Sequence, residues 1–272
     1  QGRWQAYDPF EGTDFFDEGA EDRTSLDNTR HVAVGTDNQF FFADRYDNIF
    51  RWSVGGTMEG LVAGFDNPID GAPYSPQLEE DIEDIYAGGD GNLYVAYEDG
   101  AIYKLDFELA SYTRIIGDPG DSSPQPSNSV FATADGENAL TATIEVNEIA
   151  VSDDGQVFFS DGEDSNAIRT VDSEGNLRTL VNHPDFYDSN PIPEEVDPKA
   201  YPMGYVSDMQ FVDGQLYFMD DGFSILSYDV ANRTLAGYAG FSNSYDDYPK
   251  AVNGPESKLG APARSTYLGD IE

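Results

Sequence analysis

Carboxylates recur at one equivalent position of a repeated sequence pattern. The position directly before the first buried aliphatic residue of each repeat is occupied by His31, Asp84, Glu148, Asp208 and Asp270. Converging carboxylates raise one another's pKa unless a cation or hydrogen bonds compensate, and sites rich in oxygen suit Ca²⁺ or Mg²⁺. The pattern therefore predicts either a shared cation site or separate caps on neighbouring backbone amides.

Tyrosines form the second group of candidate functional residues. Five of them lie in the long segments between repeats: Tyr74, Tyr187, Tyr201, Tyr245 and Tyr248. An exposed tyrosine beside carboxylates suits contact with a protein or a glycan, because the ring offers apolar area and a polar edge at low entropic cost. The alternative is that these residues fold back over neighbouring strands.

The elements that position these residues are strands. Four stretches each read as an apolar strand, a turn of the Asp-Gly type and an aromatic-rich strand: 31–44, 84–97, 148–161 and 208–220. A third and a fourth short strand follow in each repeat, as in IRTVD at 168–172 and LRTLV at 177–181. Four antiparallel strands per repeat predict an all-β fold of propeller blades.

The two ends of the chain carry partial repeats. Residues 4–8 match a third strand, 13–19 match a fourth strand, and 266–272 match the opening of a first strand. We therefore expect four complete blades plus one blade shared between the termini, in a five-bladed ring or in part of a six-bladed one. The expectation is one propeller domain over 1–272, or a segment of a longer chain.

One face of such a propeller collects the acidic residues. The connection between blades and the turn from second to third strand emerge on the same side. The turns carry acidic residues: Asp44, Asp47, Glu98, Asp99, Asp161, Glu163, Asp164, Asp220 and Asp221. Long connections in a compact fold are usually functional or mobile. We expect this loop face to be the functional one.

The repeat resembles the NHL-repeat propellers and their SMP-30/gluconolactonase-like relatives, best over 149–181. That resemblance implies a propeller fold and, for the enzymes, a divalent metal held by Glu, Asn and Asp near the starts of inner strands. Glu83 and Asn147 fall at matching positions. Ser207 stands where the Asp is expected, and Asp208 is one residue out of register, which turns a strand side chain to the other face.

Composition limits the partners. The net charge of −38 argues against nucleic acid and anionic membranes. It is explained by adaptation to a salty medium, by cation binding, or by both. No apolar run approaches the roughly 20 residues of a membrane span, so we expect no membrane insertion. The sequence begins at Gln1 without an initiator Met, which indicates either a processed mature terminus or an excised segment. Together with the abundance of Asp, Asn, Gly, Ser and Tyr, this favours an exported protein at an extracellular, cell-surface or periplasmic location.

Several catalytic classes are excluded. The chain contains two histidines and no cysteine, which leaves no tri-histidine zinc site and no thiolate chemistry. It also lacks a GxSxG elbow, a P-loop and a GxGxxG motif.

Three functional hypotheses remain. The first is a binding or assembly module that uses its loop face, with Ca²⁺ or Mg²⁺ as a candidate cofactor and a protein or glycan as partner. The second is a metal-dependent lactonase or ester hydrolase of the gluconolactonase type, with Glu83, Asn147 and Asp208 around the metal. The third is a structural segment of a larger surface protein or filament.

Overall fold

The structure is a computed structural model. The residues that it describes are 28–54, 56, 58–64, 72–74, 81–98, 100–118, 133–162, 167–182, 197–201, 203–220 and 224–240.

Sixteen strands in this part of the chain form four antiparallel sheets, each with its strands in sequence order. Blade 1 consists of β1 (His31–Val34), β2 (Gln39–Ala43), β3 (Ile49–Ser53) and β4 (Met58–Val62). Blade 2 consists of β5 (Ile82–Ala87), β6 (Leu93–Tyr97), β7 (Ile102–Asp106) and β8 (Ser111–Ile116). Blade 3 consists of β9 (Ile149–Val151), β10 (Val157–Ser160), β11 (Ala167–Val171) and β12 (Leu177–Asn182). Blade 4 consists of β13 (Val206–Val212), β14 (Gln215–Asp220), β15 (Ser224–Asp229) and β16 (Thr234–Gly240).

Local chemistry explains the hairpins. The turn between β13 and β14 consists of Asp213 (φ 51°) and Gly214 (φ 81°), both in the left-handed region that a tight two-residue hairpin requires. Buried and partly exposed residues alternate along β14, where Leu216, Phe218 and Asp220 are buried, so one face of the strand points into the protein. Turn type and alternation together fix the register of each pair.

Three apolar clusters hold the blades together. One joins blades 1 and 2 around Phe41, Ile49, Ile85 and Leu105. The second joins blades 2 and 3, and the third joins blades 3 and 4. The first strands of consecutive blades contact one another, β1 with β5, β5 with β9 and β9 with β13. The fold is a β-propeller.

The blade number differs from the expectation. The described residues contain four blades, where the sequence predicted five or six. The prediction of a further blade came from residues 4–8, 13–19 and 266–272, which lie outside the described part of the chain. Within the described part, no helix has the length and apolar character needed to cross a membrane.

Two β-bulges interrupt the first strands where the predicted site residues lie. In blade 2, Ile82 pairs with Tyr97 and Asp84 with Ala96, so Glu83 is the extra residue. In blade 4 the register shifts between Val206 and Met209, a stretch that contains Ser207 and Asp208. A bulge bends its strand and re-aims the side chains beside it. Spacing along the sequence therefore does not give the direction of these side chains.

Candidate functional site

Four of the predicted carboxylates lie within electrostatic range of one another where the first strands begin. We call Glu83, Asp84, Glu148 and Asp208 the acidic cluster. Burial is the main cause of the raised pKa of Asp84, and the negative charges of Asp208 and Glu83 raise it further, to about 7. The structure thus brings together residues that are far apart in sequence and belong to blades 2, 3 and 4.

Asp84 connects two blades. Its Oδ1 accepts a hydrogen bond from the backbone N–H of Ile85 at 2.7 Å, and its Oδ2 accepts one from the N–H of Ile149 at 3.0 Å. Both bonds favour the ionised form and partly offset the effect of burial on the pKa. Since Ile149 belongs to β9, the carboxylate ties blade 2 to blade 3, and this is the capping role that the sequence allowed.

Glu148 lies at the equivalent position of blade 3 and differs from Asp84. Among the described residues, no hydrogen-bond donor and no cation contacts its carboxylate. Burial, followed by the charges of Asp84, Asp208 and Glu83, raises its pKa to about 9. At neutral pH this group stays protonated unless a cation approaches it.

Asp208 and Glu83 complete the cluster from blades 4 and 2. Asp208 is exposed to solvent. Glu83 is partly buried, and its pKa is raised by burial and then by Glu98 and Asp81. The nearby cation, Arg30, donates from Nη1 to Asp81 Oδ2 at 3.0 Å. That guanidinium is therefore paired with a carboxylate outside the cluster.

His31 lies at the start of β1. Burial lowers its pKa, while a hydrogen bond with the backbone of Ile82 raises it. Since Ile82 begins β5, His31 connects blade 1 to blade 2, much as Asp84 connects blade 2 to blade 3. The fifth member of the predicted column, Asp270, lies outside the described residues.

The described residues do not provide a metal centre. In that part of the chain, no group of three or more His, Cys, Asp or Glu side chains is arranged to hold a metal ion. Both oxygens of Asp84 already accept backbone hydrogen bonds. Binding of Ca²⁺ or Mg²⁺ by the full column, which includes Asp270, stays a prediction. The same holds for the metal set Glu83, Asn147 and Asp208, of which two members lie at or beside the bulges.

Other acidic residues of the loop face hold the scaffold together. Asp161 and Asp220, at the second-to-third turns of blades 3 and 4, are almost completely buried. Asp161 accepts from the backbone N–H of Glu145 at 3.0 Å and from Arg169 Nη1 at 2.6 Å. Asp220 accepts from the N–H of Gly204 at 2.7 Å. Each carboxylate thus accepts a hydrogen bond from the segment that leads into the first strand of its own blade.

Two of the five predicted partner-binding tyrosines are described. Tyr201 is only 4% exposed, and its hydroxyl donates to Asp220 Oδ2 at 2.5 Å. Tyr74 is partly buried against the cluster between blades 1 and 2, with its ring 6.3 Å from that of Tyr112. Both rings thus pack back on the scaffold. The other three, Tyr187, Tyr245 and Tyr248, lie outside the described residues.

Tyr205, which was not predicted from the sequence, is an exposed aromatic residue beside the cluster. Its side chain is 46% exposed and directly precedes β13. Burial and then the charges of Glu148 and Glu83 raise its pKa, which places the phenol near both carboxylates. Its position just before a first strand, where the carboxylate column also lies, was the available signal.

Tyr86 links opposite sides of the propeller. Its hydroxyl accepts a hydrogen bond from the backbone N–H of Phe211 at 3.1 Å, between β5 and β13. The ring packs against the apolar cluster between blades 2 and 3 and against that between blades 3 and 4. This contact keeps the first strands of blades 2 and 4 close together, and with them Asp84 and Asp208.

Comparison with known proteins gives only distant similarities. No protein-family model and no curated protein matches the sequence. A structural genomics protein of unknown function from Bacteroides thetaiotaomicron is 16% identical, with a TM-score of 0.48 over 71% of this chain and 44% of that one. YCF48 bound to D1 peptide is 14% identical, with a TM-score of 0.41 over 75% and 50%. The mitotic checkpoint complex matches at 12% identity, with a TM-score of 0.43 over 78% and 52%.

The chain spans about half the length of these three solved chains. At such identities and scores, nothing about partners or activity carries over to this protein.

Proposed function

We propose that this propeller is a binding module that takes a protein partner at the acidic cluster, through a lysine or arginine side chain of that partner. The observation that carries the proposal is the Glu148 carboxyl group. Its environment holds three further carboxylates, and none of the described cations contacts it. An incoming cation would remove the repulsion that these groups exert on one another.

The exposed Tyr205 favours a protein side chain as the source of that cation. A phenol ring beside carboxylates provides apolar contact and a cation–π surface for a guanidinium or ammonium group. Arginine and tyrosine are also the residues that most often dominate protein interfaces. A net charge of −38 additionally steers a basic partner towards the propeller.

Binding of a cationic group at this site is linked to protons. Below about pH 9 Glu148 is protonated in the free protein, so a cation that pairs with the carboxylate must displace a proton. The affinity for a cationic side chain therefore rises with pH up to that value. The affinity of a ligand that contacts only uncharged residues would not depend on pH in this way.

Calorimetry with a defined probe tests the proposal. The probe is a short peptide with one arginine flanked by glycine and serine, and the reference is the same peptide with neutral citrulline. At about 0.15 M salt, where exposed charges beyond roughly 8 Å are screened, we expect the arginine peptide to bind and the citrulline peptide to fail. Glu148→Gln should weaken binding about tenfold, which corresponds to 1.4 kcal/mol.

The matched control is Glu108→Gln, which removes one negative charge from the exposed turn between β7 and β8. It should leave the affinity unchanged. If the two variants weaken binding equally, or if the two peptides bind equally well, the affinity does not depend on the acidic cluster. Either result would overturn the proposal. CaCl₂ and MgCl₂ are titrated in parallel, since a divalent ion competes for the same carboxylates.

The hydrolase hypothesis has no comparable support. Glu83 lies in a bulge, and the described residues hold no group of three or more His, Cys, Asp or Glu arranged for a metal. Export to the cell surface, a glycan as partner and a role as a segment of a larger assembly stay predictions from the sequence.

A further inference from the structure

The outer strand of blade 4 differs in charge from the outer strands of the other described blades. The fourth strand forms the outer edge of each sheet, since the first strands contact one another. An edge strand exposes backbone N–H and C=O groups that can pair with another chain, and charged side chains on the edge discourage such pairing. β4 carries Glu59, β8 carries Arg114 and β12 carries Arg178, whereas β16 (TLAGYAG) carries no charge.

The outer strand of blade 4 also lacks the backbone partners that the described segments give to blades 1 to 3. In blade 1, the N–H of Tyr74 donates to the carbonyl oxygen of Leu61 in β4 at 3.2 Å. In blade 3, the N–H of Leu177 in β12 donates to the carbonyl oxygen of Glu137 at 2.9 Å, and in blade 2 the residue directly after β8 donates to that of Ala139 at 2.9 Å. Among the described residues, β16 pairs with β15 and with no other segment.

A bulge at one position of each outer strand gives a further comparison. One residue of the outer strand is extra in its pairing with the third strand: Leu61, Ile115, Leu180 and Tyr238 in blades 1 to 4. The first three pack on the apolar clusters between blades. Tyr238 is 53% exposed and meets the ring of Tyr217 edge-on, with 5.0 Å between the centroids. Blade 4 thus presents an aromatic side chain to solvent beside its outer edge.

We infer that the outer edge of β16 (Thr234–Gly240) docks an extended segment of a partner protein, which adds a fifth strand to blade 4. In an antiparallel pair, every other residue of β16 turns its N–H and C=O away from β15. These groups supply hydrogen bonds to the main chain of the partner, and Tyr238 supplies a cross-strand contact to one of its side chains. The segment carries no acidic residue, because a chain of charge −38 repels it otherwise.

This docking edge is separate from the acidic cluster. The cluster lies where the first strands begin, and β16 is three strand spacings, about 14 Å, from β13 in the same sheet. The inference does not rest on the proposed function, since main-chain pairing needs no ion pair. A second copy is disfavoured as the occupant, because two chains of charge −38 repel each other.

A neutral probe peptide tests the inference on the unchanged full chain. The probe is a short peptide of alternating Thr and Val with blocked ends and a polyethylene glycol tail for solubility. The control peptide has the same sequence with every backbone nitrogen methylated, which removes the donors that strand pairing requires. Amide hydrogen exchange over residues 234–240 should slow when the probe is added and stay unchanged with the methylated peptide.

A substitution on the edge provides a second measurement. Tyr238→Lys removes the exposed ring and places a charge on β16, and it should weaken binding of the probe about fivefold. The matched control is Thr113→Lys, which places the same charge at an exposed position of β8. This control should leave the affinity unchanged. Thermal melts verify that both variants are folded.

The inference is overturned by equal binding of the two peptides, by equal weakening in the two lysine variants, or by the absence of probe-dependent protection at residues 234–240. Protection that rises with protein concentration alone would also overturn it. If the mass measured by light scattering increases in parallel, the occupant of the edge is a second copy.

Discussion

Asp84 and Glu148 occupy the same position in successive blades and have different surroundings. Asp84 accepts two backbone hydrogen bonds, and burial still raises its pKa to about 7. Glu148 accepts none from the described residues, and its pKa rises to about 9. Each of the two amides that bond to Asp84 favours the ionised form of its carboxylate, whereas burial and the charge of Asp84 are the first two causes that raise the pKa of Glu148.

We predict that Glu148→Gln stabilises the protein at alkaline pH. The folded-state pKa of about 9 exceeds the ordinary value of 4.5, so the folded protein binds more protons than the unfolded chain between these values. Stability therefore falls as pH rises through this window, and the substitution removes that loss. Thermal melts from pH 5 to pH 9 should show a higher Tm for the variant at pH 8–9 and a flatter pH profile, whereas Glu108→Gln should follow the parent.

We predict that Asp161→Ala lowers the free energy of unfolding by about 3 kcal/mol. Asp161 and Arg169 are both almost completely buried and their ion pair is 2.6 Å long, so loss of the carboxylate leaves a buried guanidinium without its shortest ion pair, while Asp135 lies 3.3 Å away. Urea unfolding measures the change. The comparison variant is Arg178→Ala, which breaks the ion pair between Asp172 and the exposed Arg178 side chain. This variant should change the free energy of unfolding little.

At the scale of elements, the turns and bulges decide how closely the blades approach. Gly100, in the turn between β6 and β7, has a φ of 80°, and a Cβ built there would lie 1.8 Å from the carbonyl oxygen of Ile144. Ile144 belongs to the chain that leads into β9. The glycine thus lets blade 2 contact the segment that enters blade 3.

We predict that Gly100→Ala destabilises the protein by at least about 3 kcal/mol, from a disfavoured φ and a backbone clash together. Gly91→Ala is the matched control, since Gly91 has the same φ of 80° and open space around it. Its cost should be roughly 1 kcal/mol. If chemical unfolding shows the same loss of unfolding free energy for both variants, the turn at Gly100 can move away from Ile144 without destabilising the protein.

At the scale of the whole molecule, charge opposes the fold that the apolar clusters stabilise. A net charge of −38 on 272 residues produces repulsion that ions screen over a Debye length of about 30 Å at 0.01 M and about 3 Å at 1 M salt. We predict that Tm rises steadily with NaCl over this range. A Tm independent of salt would show that the charges are already compensated within the protein.

The same melts separate general screening from cation binding. If the full acidic column binds Ca²⁺, millimolar CaCl₂ raises Tm at matched ionic strength, and EDTA reverses the rise. The triple variant Asp84→Asn, Glu148→Gln and Asp208→Asn should then lose this calcium effect while keeping its response to NaCl. A calcium effect that persists in the variant would eliminate the column as the site.

The sequence by itself determined the blades and the repeated position of the carboxylates. Strand alternation and Asp-Gly turns are local properties, and they gave the sixteen strands of blades 1 to 4 and the antiparallel order within each. Asp84 and Glu148 were identified because identical registers repeat along the chain. The number of blades was overestimated against the four that the structure describes.

Only the tertiary structure decided what each carboxylate does. The bulges at Glu83 and at Ser207–Asp208 change side-chain direction without a clear sequence signal. One of the two donors to Asp84 lies 65 residues away in another blade, and the charges that surround Glu148 come from two other blades. Burial, hydrogen bonds and charge act through space. An acidic residue at the same repeat position therefore caps backbone amides in blade 2, whereas in blade 3 it accepts no hydrogen bond from the described residues.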